Sequence, residues 1–275
     1  MAGFFLVEAA AAFVTGSLAL LSDAGHMLTD VVGLGMALAA VRLGMRGSAR
    51  PHRSFGWYRA EILAALVNSA LLLGVAVYVL TAAAGRLTDP PDIAPGPMLV
   101  VGLLGLGVAA ASVVLLHPGQ RESLNLRGAY LEVLADALGS FGVITAAVIM
   151  WTTGWPYADP LFASAIGVFI VPRALRLGRE SLRVLLQAAP SHLAPDAVRR
   201  DLASIDGVVD VHDVHAWTLT SGMEVVSAHV MVSADTDGHE VLDRARALLV
   251  ERYAVEHATV QVEPEAHEGC ERLTW

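Results

Sequence analysis

The chain has 275 residues, 55% of them hydrophobic and only 16% charged, with a mean hydropathy of +0.56. So apolar a composition excludes an ordinary soluble domain of this size and points to several bilayer-spanning helices. The net charge of −9 is unevenly placed: residues 190–275 hold sixteen acids and six arginines, residues 1–189 eleven and twelve. That asymmetry separates a membrane part from an acidic soluble part and argues against nucleic acid, whose phosphates need a basic surface. Cys270 is the single cysteine, so no intrachain disulfide is available.

A stretch of about 20 apolar residues crosses the ~30 Å hydrocarbon core. The predicted helices, in chain order, are a short apolar segment at 1–15, then 18–41, 60–84, 97–116, 126–151 and 160–183. At ~1.5 Å per residue the first reaches only ~22 Å, and it lacks the basic start of a signal peptide, so the expectation is a first helix truncated at its start. The connection after the second helix carries Arg42, Arg46, Arg50 and Arg53. The link near 117–127 carries Arg121 and Arg127, and the last helix exits through Arg173, Arg176, Arg179 and Arg183. The loops at 88–96 and 152–159 contain no arginine. Positive charge marks the cytosolic side, so six spans with both ends inside satisfy the pattern. The expected location is a bacterial inner membrane, with both termini and the C-terminal domain cytoplasmic.

The chain then divides into a transmembrane domain at 1–189, a soluble domain at 190–265 and an acidic tail at 266–275. Within the soluble domain Val198, Leu202 and Ile205 share one face of a helix at 195–205. Strands at 208–219 and 223–233 meet through Ser221-Gly222, a hairpin signal. The apolar phase slips between Val209/Val211 and Val214/Ala216, which predicts a bulge near His212-Asp213. A helix at 239–252 and a strand at 257–263 complete an α-β-β-α-β order, that of a small ferredoxin-like α+β domain.

Two polar pairs interrupt the apolar spans: His26-x-x-x-Asp30 in the second and Glu132-x-x-x-Asp136 in the fifth. A spacing of four places each pair on one helix face, one turn apart. Ionisable groups in lipid are costly unless they face a bundle interior, and four converging ligands are what a tetrahedral divalent ion needs. Asp23 reads as the cap of the second helix, Asn68 as an interhelix hydrogen-bonding residue, and Glu61 as either a vestibule residue or an interfacial ion-pair partner. Glu8 receives no role. In the soluble domain His212 and His229 fall on neighbouring strands, His239 opens the following helix and Glu263 ends the last strand, a candidate cytosolic metal site. His267 and Cys270 form a further His-x-x-Cys pair in the tail.

These residues resemble the cation diffusion facilitator family of divalent metal/proton antiporters. The resemblance runs from about residue 4 to 264 on GSLALLSDAGHMLTDVVGL at 16–34, SFGWYRAEILAALVNS at 54–69, SLNLRGAYLEVLADALGSFGVI at 123–144, ADPLFASAIG at 158–167 and VHDVHAWTLTSG at 211–222. It implies six transmembrane helices, a cytosolic ferredoxin-like domain, a homodimer in the lipid bilayer and transport by alternating access. No prosthetic cofactor is implied; the metal is cargo, zinc first, with cadmium, cobalt, manganese or iron as further ions. His26, Asp30 and Asp136 match the family's central transport ligands. Glu132 stands where members with this second-helix motif carry His, which changes the charge and hardness of the site. The family's loop metal site would fall on Arg53 and Trp57, so none is assigned there. His212, His229 and His239 align with tail ligands of some members, but Gln261 follows, with Glu263 two residues on.

An alternative reading is a membrane-anchored metal sensor whose cytosolic domain signals to a partner, yet an anchor has no need of two buried ligand pairs. A metallohydrolase needs a general base beside an open metal position. The chain has neither an His-Glu-x-x-His motif nor a carboxylate to spare, so it reads as a secondary transporter rather than an enzyme.

Overall fold

The computed structural model describes residues 2–45, 54–117 and 124–265 and divides into two units, 1–38 with 64–178 and 39–63 with 179–275. Helices occur at all six predicted positions: α1 (Ala2–Thr15), α2 (Leu18–Met45), α3 (Arg59–Arg86), α4 (Pro95–Leu116), α5 (Leu124–Thr153) and α6 (Ala158–Leu185). Most run a few residues past the predicted limits, because helical hydrogen bonding continues after the apolar stretch ends. Four of them (α3, α4, α5 and α6) are long and apolar enough to cross a membrane by length and composition. α2 is 28 residues long but carries Asp23, His26 and Asp30, and α1 has 14 residues.

The first unit exposes apolar side chains and buries several polar ones within a largely apolar core. Leu6, Phe13, Leu115, Phe141, Trp151 and Phe169 are exposed, whereas Glu8, Asp23, His26, Ser140 and Asp159 are buried. Exposure of so much apolar surface is costly in water and free in lipid. Small residues let the helices approach. A Cβ on Gly102 would stand 3.0 Å from Ile144, and one on Gly105 2.8 Å from Ser140 Oγ, so α4 lies close against α5. Gly102 and Gly105, in the GLLGLG run at 102–107, are thus packing positions.

Asp159, in the first turn of α6, is fully buried. It accepts hydrogen bonds from Ser17 Oγ at 2.5 Å and from the backbone N–H groups of Leu18 and Ala19 at 2.8 and 3.0 Å. Arg86, the last residue of α3, donates to Asp159 at 3.2 Å and to the carbonyl of Gly16 at 2.6 Å. One carboxylate thus serves the otherwise unsatisfied donors at the start of α2 and is balanced by a cation from α3. Asp23 lies a turn inside α2 and is not its cap, which corrects the sequence expectation; the capping oxygens come from Ser17 and Asp159 instead.

In the second unit α7 (Pro195–Ala203) precedes β1 (Val208–Thr220), β2 (Met223–Val232), α8 (Gly238–Tyr253) and β3 (His257–Pro264). β1 pairs antiparallel with β2 and β2 parallel with β3, giving the order β1-β2-β3. Val198 and Leu202 of α7, Val226, Ala228 and Val230 of β2, and Leu249 of α8 form its core. Gly222 turns the hairpin with φ of 72°. The expected bulge is present. His212 pairs with His229 and His215 with Ser227, so Asp213 and Val214 oppose Ala228 alone, and Asp213 takes a φ of 50°. At the entry to α3, Glu61 accepts from Thr220 Oγ1 at 2.7 Å and Ser221 Oγ at 2.8 Å. That makes Glu61 a partner of the hairpin tip.

Candidate metal site

His26 and Asp30 project from one face of α2, and Asp136 meets them from α5. His26 Nε2 lies 3.7 Å from Asp30 Oδ2 and 3.9 Å from Asp136 Oδ1. One ligand atom from each residue falls within 4.8 Å of the others. These separations are too long for hydrogen bonds. They come close to the ~3.4 Å that tetrahedral ligands about 2.1 Å from a common ion keep between themselves. Among the described residues, His26 Nδ1 and Asp136 Oδ1 are buried without a hydrogen-bond partner. Unsatisfied polar atoms in a span are expensive, and an ion would satisfy the carboxylate.

Two cavities flank the trio. His26 and Asp23 line one of about 260 Å³ whose walls include Phe141, Phe162 and Phe169. Asp30 lines another of about 660 Å³, with Asn68, Glu132 and Arg173. Glu132, the fourth residue expected from sequence, is on that second wall and not in the trio. Arg173 of α6 donates to both of its carboxylate oxygens. Asn68 lies against Gly33 of α2, where a Cβ would stand 2.7 Å away, and its Oδ1 has no hydrogen-bond partner among the described residues. The expected interhelix bond is therefore not made through that atom.

The soluble domain holds a second group: His212, His229 and Glu263 each offer a ligand atom within 4.8 Å of the others. His229 Nδ1 is 2.7 Å and His212 Nε2 3.7 Å from Glu263, and the two rings are 5.4 Å apart. Cross-strand pairing of His212 with His229 brings the rings together, and Glu263 reaches them from β3. Gln261 donates to Glu263 at 2.7 Å and so orients the carboxylate rather than joining the trio. His239 does not join either. It is exposed at the start of α8, where its N–H bonds the capping carboxylate of Asp237 at 2.9 Å. His267 and Cys270 lie outside the described residues, as does the loop around Arg53.

Residues 1–186 match the family model described as the cation efflux transmembrane domain, and residues 190–265 match that of the cation efflux protein cytoplasmic domain. The chain belongs to the cation efflux family. It is 43% identical over 261 residues to the metal cation efflux system protein CzcD of Cupriavidus metallidurans, covering 94% of this chain and 82% of that one. A cadmium, cobalt and zinc/H(+)-K(+) antiporter of Bacillus subtilis is 35% identical, with 96% and 86% covered. The zinc transporter ZitB of Escherichia coli is 40% identical, with 95% and 84% covered. As a cation efflux protein the chain is an integral membrane transporter and not an enzyme.

Three polar residues of this cation efflux chain that matter here escaped the sequence reading. Arg173 counted only toward loop charge, and its partner is 41 residues away. Asp159 went unread. Glu8 has no role in that reading, whereas it is buried in α1. A lone acid inside an apolar segment is the available signal for Glu8.

Proposed function

We propose that this protein exports divalent metal ions, zinc foremost, in exchange for protons. His26, Asp30 and Asp136 form the transport site, and Glu132 is the fourth ligand that a bound ion recruits from the neighbouring turn. The observation that carries this reading is the trio itself: three ligand atoms from two helices converge inside an apolar bundle, between two cavities. A site reached from two directions is what alternating access requires, with the helices rocking so that one cavity closes as the other opens. Metal and protons compete for the same carboxylates, so metal departure and proton arrival are linked. The protein's relatives named for zinc, cadmium and cobalt support the choice of cargo.

In the same proposal the transmembrane domain at 1–189 lies in a bacterial inner membrane. The domain at 190–265, the tail at 266–275 and both termini lie in the cytoplasm, and two copies form a homodimer in the bilayer. His212, His229 and Glu263 form a cytosolic metal site, with His239 recruited only if α8 shifts.

Flux in proteoliposomes tests the transport site. Asp30→Ala and Asp136→Ala each abolish zinc-driven proton movement at matched protein levels while the protein stays folded. Near-parental flux in both variants would remove these residues from the site.

A further inference from the structure

Arg173 stands on α6 directly after Pro172, and its guanidinium bonds both oxygens of Glu132. An ion pair at the edge of a span is often no more than an interfacial contact. Two observations set this one apart. Glu132 is four residues before Asp136 on the same face of α5, and Glu132, Arg173 and Asp30 line one cavity. The pair is therefore part of the wall that an ion meets beside Asp30.

Asp30, Asp136 and Glu132 carry three negative charges, and a dication leaves one uncompensated. Arginine keeps its charge in any protein environment, so Arg173 brings the loaded set to zero. We infer that Arg173 is the charge-balancing residue of the transport site, holding Glu132 and offsetting the third carboxylate so that a bound dication completes a neutral cluster. This rests on the proposed binding of metal at His26, Asp30 and Asp136. Two consequences follow. Removing the positive charge leaves a more negative site that holds a dication more tightly and releases it more slowly. Replacing Glu132 with a neutral imidazole leaves the arginine unopposed, and the dication is repelled.

The test measures initial zinc flux against zinc concentration, at one pH, in proteoliposomes of the full chain. The variants are Arg173→Gln, Arg173→Lys, Glu132→His, the double variant Glu132→His/Arg173→Gln, and Asp136→Ala. Arg173→Gln lowers the half-saturating zinc concentration about tenfold, the size expected of one partly exposed charge, and reduces maximal flux. Arg173→Lys keeps the charge and stays near the parent. Glu132→His raises half-saturation, and adding Arg173→Gln brings it back to within about threefold of the parent, because the neutral count is restored. An Arg173→Gln protein with parental half-saturation, or a double variant as weak as Glu132→His, overturns the assignment. If Arg173→Gln fails to fold, the comparison of the double variant with Glu132→His decides alone. Asp136→Ala separates the two layers: retained flux there overturns the metal site itself, whereas lost flux leaves it standing whatever Arg173 does.

Discussion

Asp159→Asn tests the hub that joins the start of α2 to α3 and α6. The carboxylate accepts three hydrogen bonds from Ser17, Leu18 and Ala19 and one from Arg86, all in a fully buried position. Asparagine retains one acceptor oxygen and turns the other into a donor facing donors. About two charge-assisted bonds are lost, each worth ~1.5–3 kcal/mol, and the arginine loses its counter-charge. Arg86 is 24% exposed, so water recovers part of that last term. The net cost is about 3–5 kcal/mol, the range for breaking a buried pair from one side. Thermal melts of the detergent-solubilised protein, followed by tryptophan fluorescence, should show Tm lower by about 10 °C, since 1 kcal/mol shifts a domain of this size by about 2–4 °C. Arg86→Gln should cost less, and the double variant less than the sum of the singles. A melt within about 2 °C of the parent, or strict additivity, refutes the claim that one buried carboxylate fastens these helix ends.

Leu249→Ala leaves a cavity in the small core of the soluble domain and costs about 2–5 kcal/mol, read as earlier protease cleavage between residues 190 and 265. His229→Ala, or Glu263→Gln, should remove zinc binding by that domain, measured as zinc retained after gel filtration of the full chain in an Asp136→Ala background. Retention in either variant equal to that background counts against the cytosolic trio. Imidazole and carboxylate bind metal only when deprotonated, so the same retention should fall as pH drops and return on titration back. Glu132→His should raise the ratio of zinc to manganese flux, because imidazole suits zinc and carboxylate suits the harder ion. An unchanged ratio means Glu132 does not touch the ion.

Local patterns carried most of what the sequence disclosed. Hydropathy located the six helices, alternation located the strands, and a slip in that alternation located the bulge at Asp213. The i, i+4 spacing placed His26 with Asp30 and Glu132 with Asp136, since helix geometry alone puts such pairs on one face. What spacing does not contain is how each helix is rotated about its axis and which neighbour it faces. Asp136 therefore meets His26, whereas Glu132, one turn away on the same face, meets Arg173. Ser22-Asp23 has capping composition, which makes Asp23 read as a cap. The real capping carboxylate, Asp159, comes from more than 130 residues away, beyond the reach of any local signal. His239 joins the strand histidines by the family resemblance and by its place at the start of the next helix, but the cap at Asp237 fixes where α8 begins and leaves the ring exposed.

The extra residue in β1 sets the parity of that strand. Side chains alternate between the two faces of a sheet, so an odd spacing such as that of His212 and His215 would ordinarily send the two rings to opposite sides. Because Asp213 and Val214 together answer to one residue of β2, His212 opposes His229 and His215 opposes Ser227, and both rings share a face while Val211 and Ala216 share the core. Pairing Asp213 and Val214 with one partner each, by a register slip of one, would straighten the ladder and reverse the face of every residue before them. Val211 would turn toward water and His212 into the apolar interior, away from Glu263. The chemistry of that face is thus written in the pairing of the strand as much as in its residues, and a slip of one position is enough to erase it with every histidine still present.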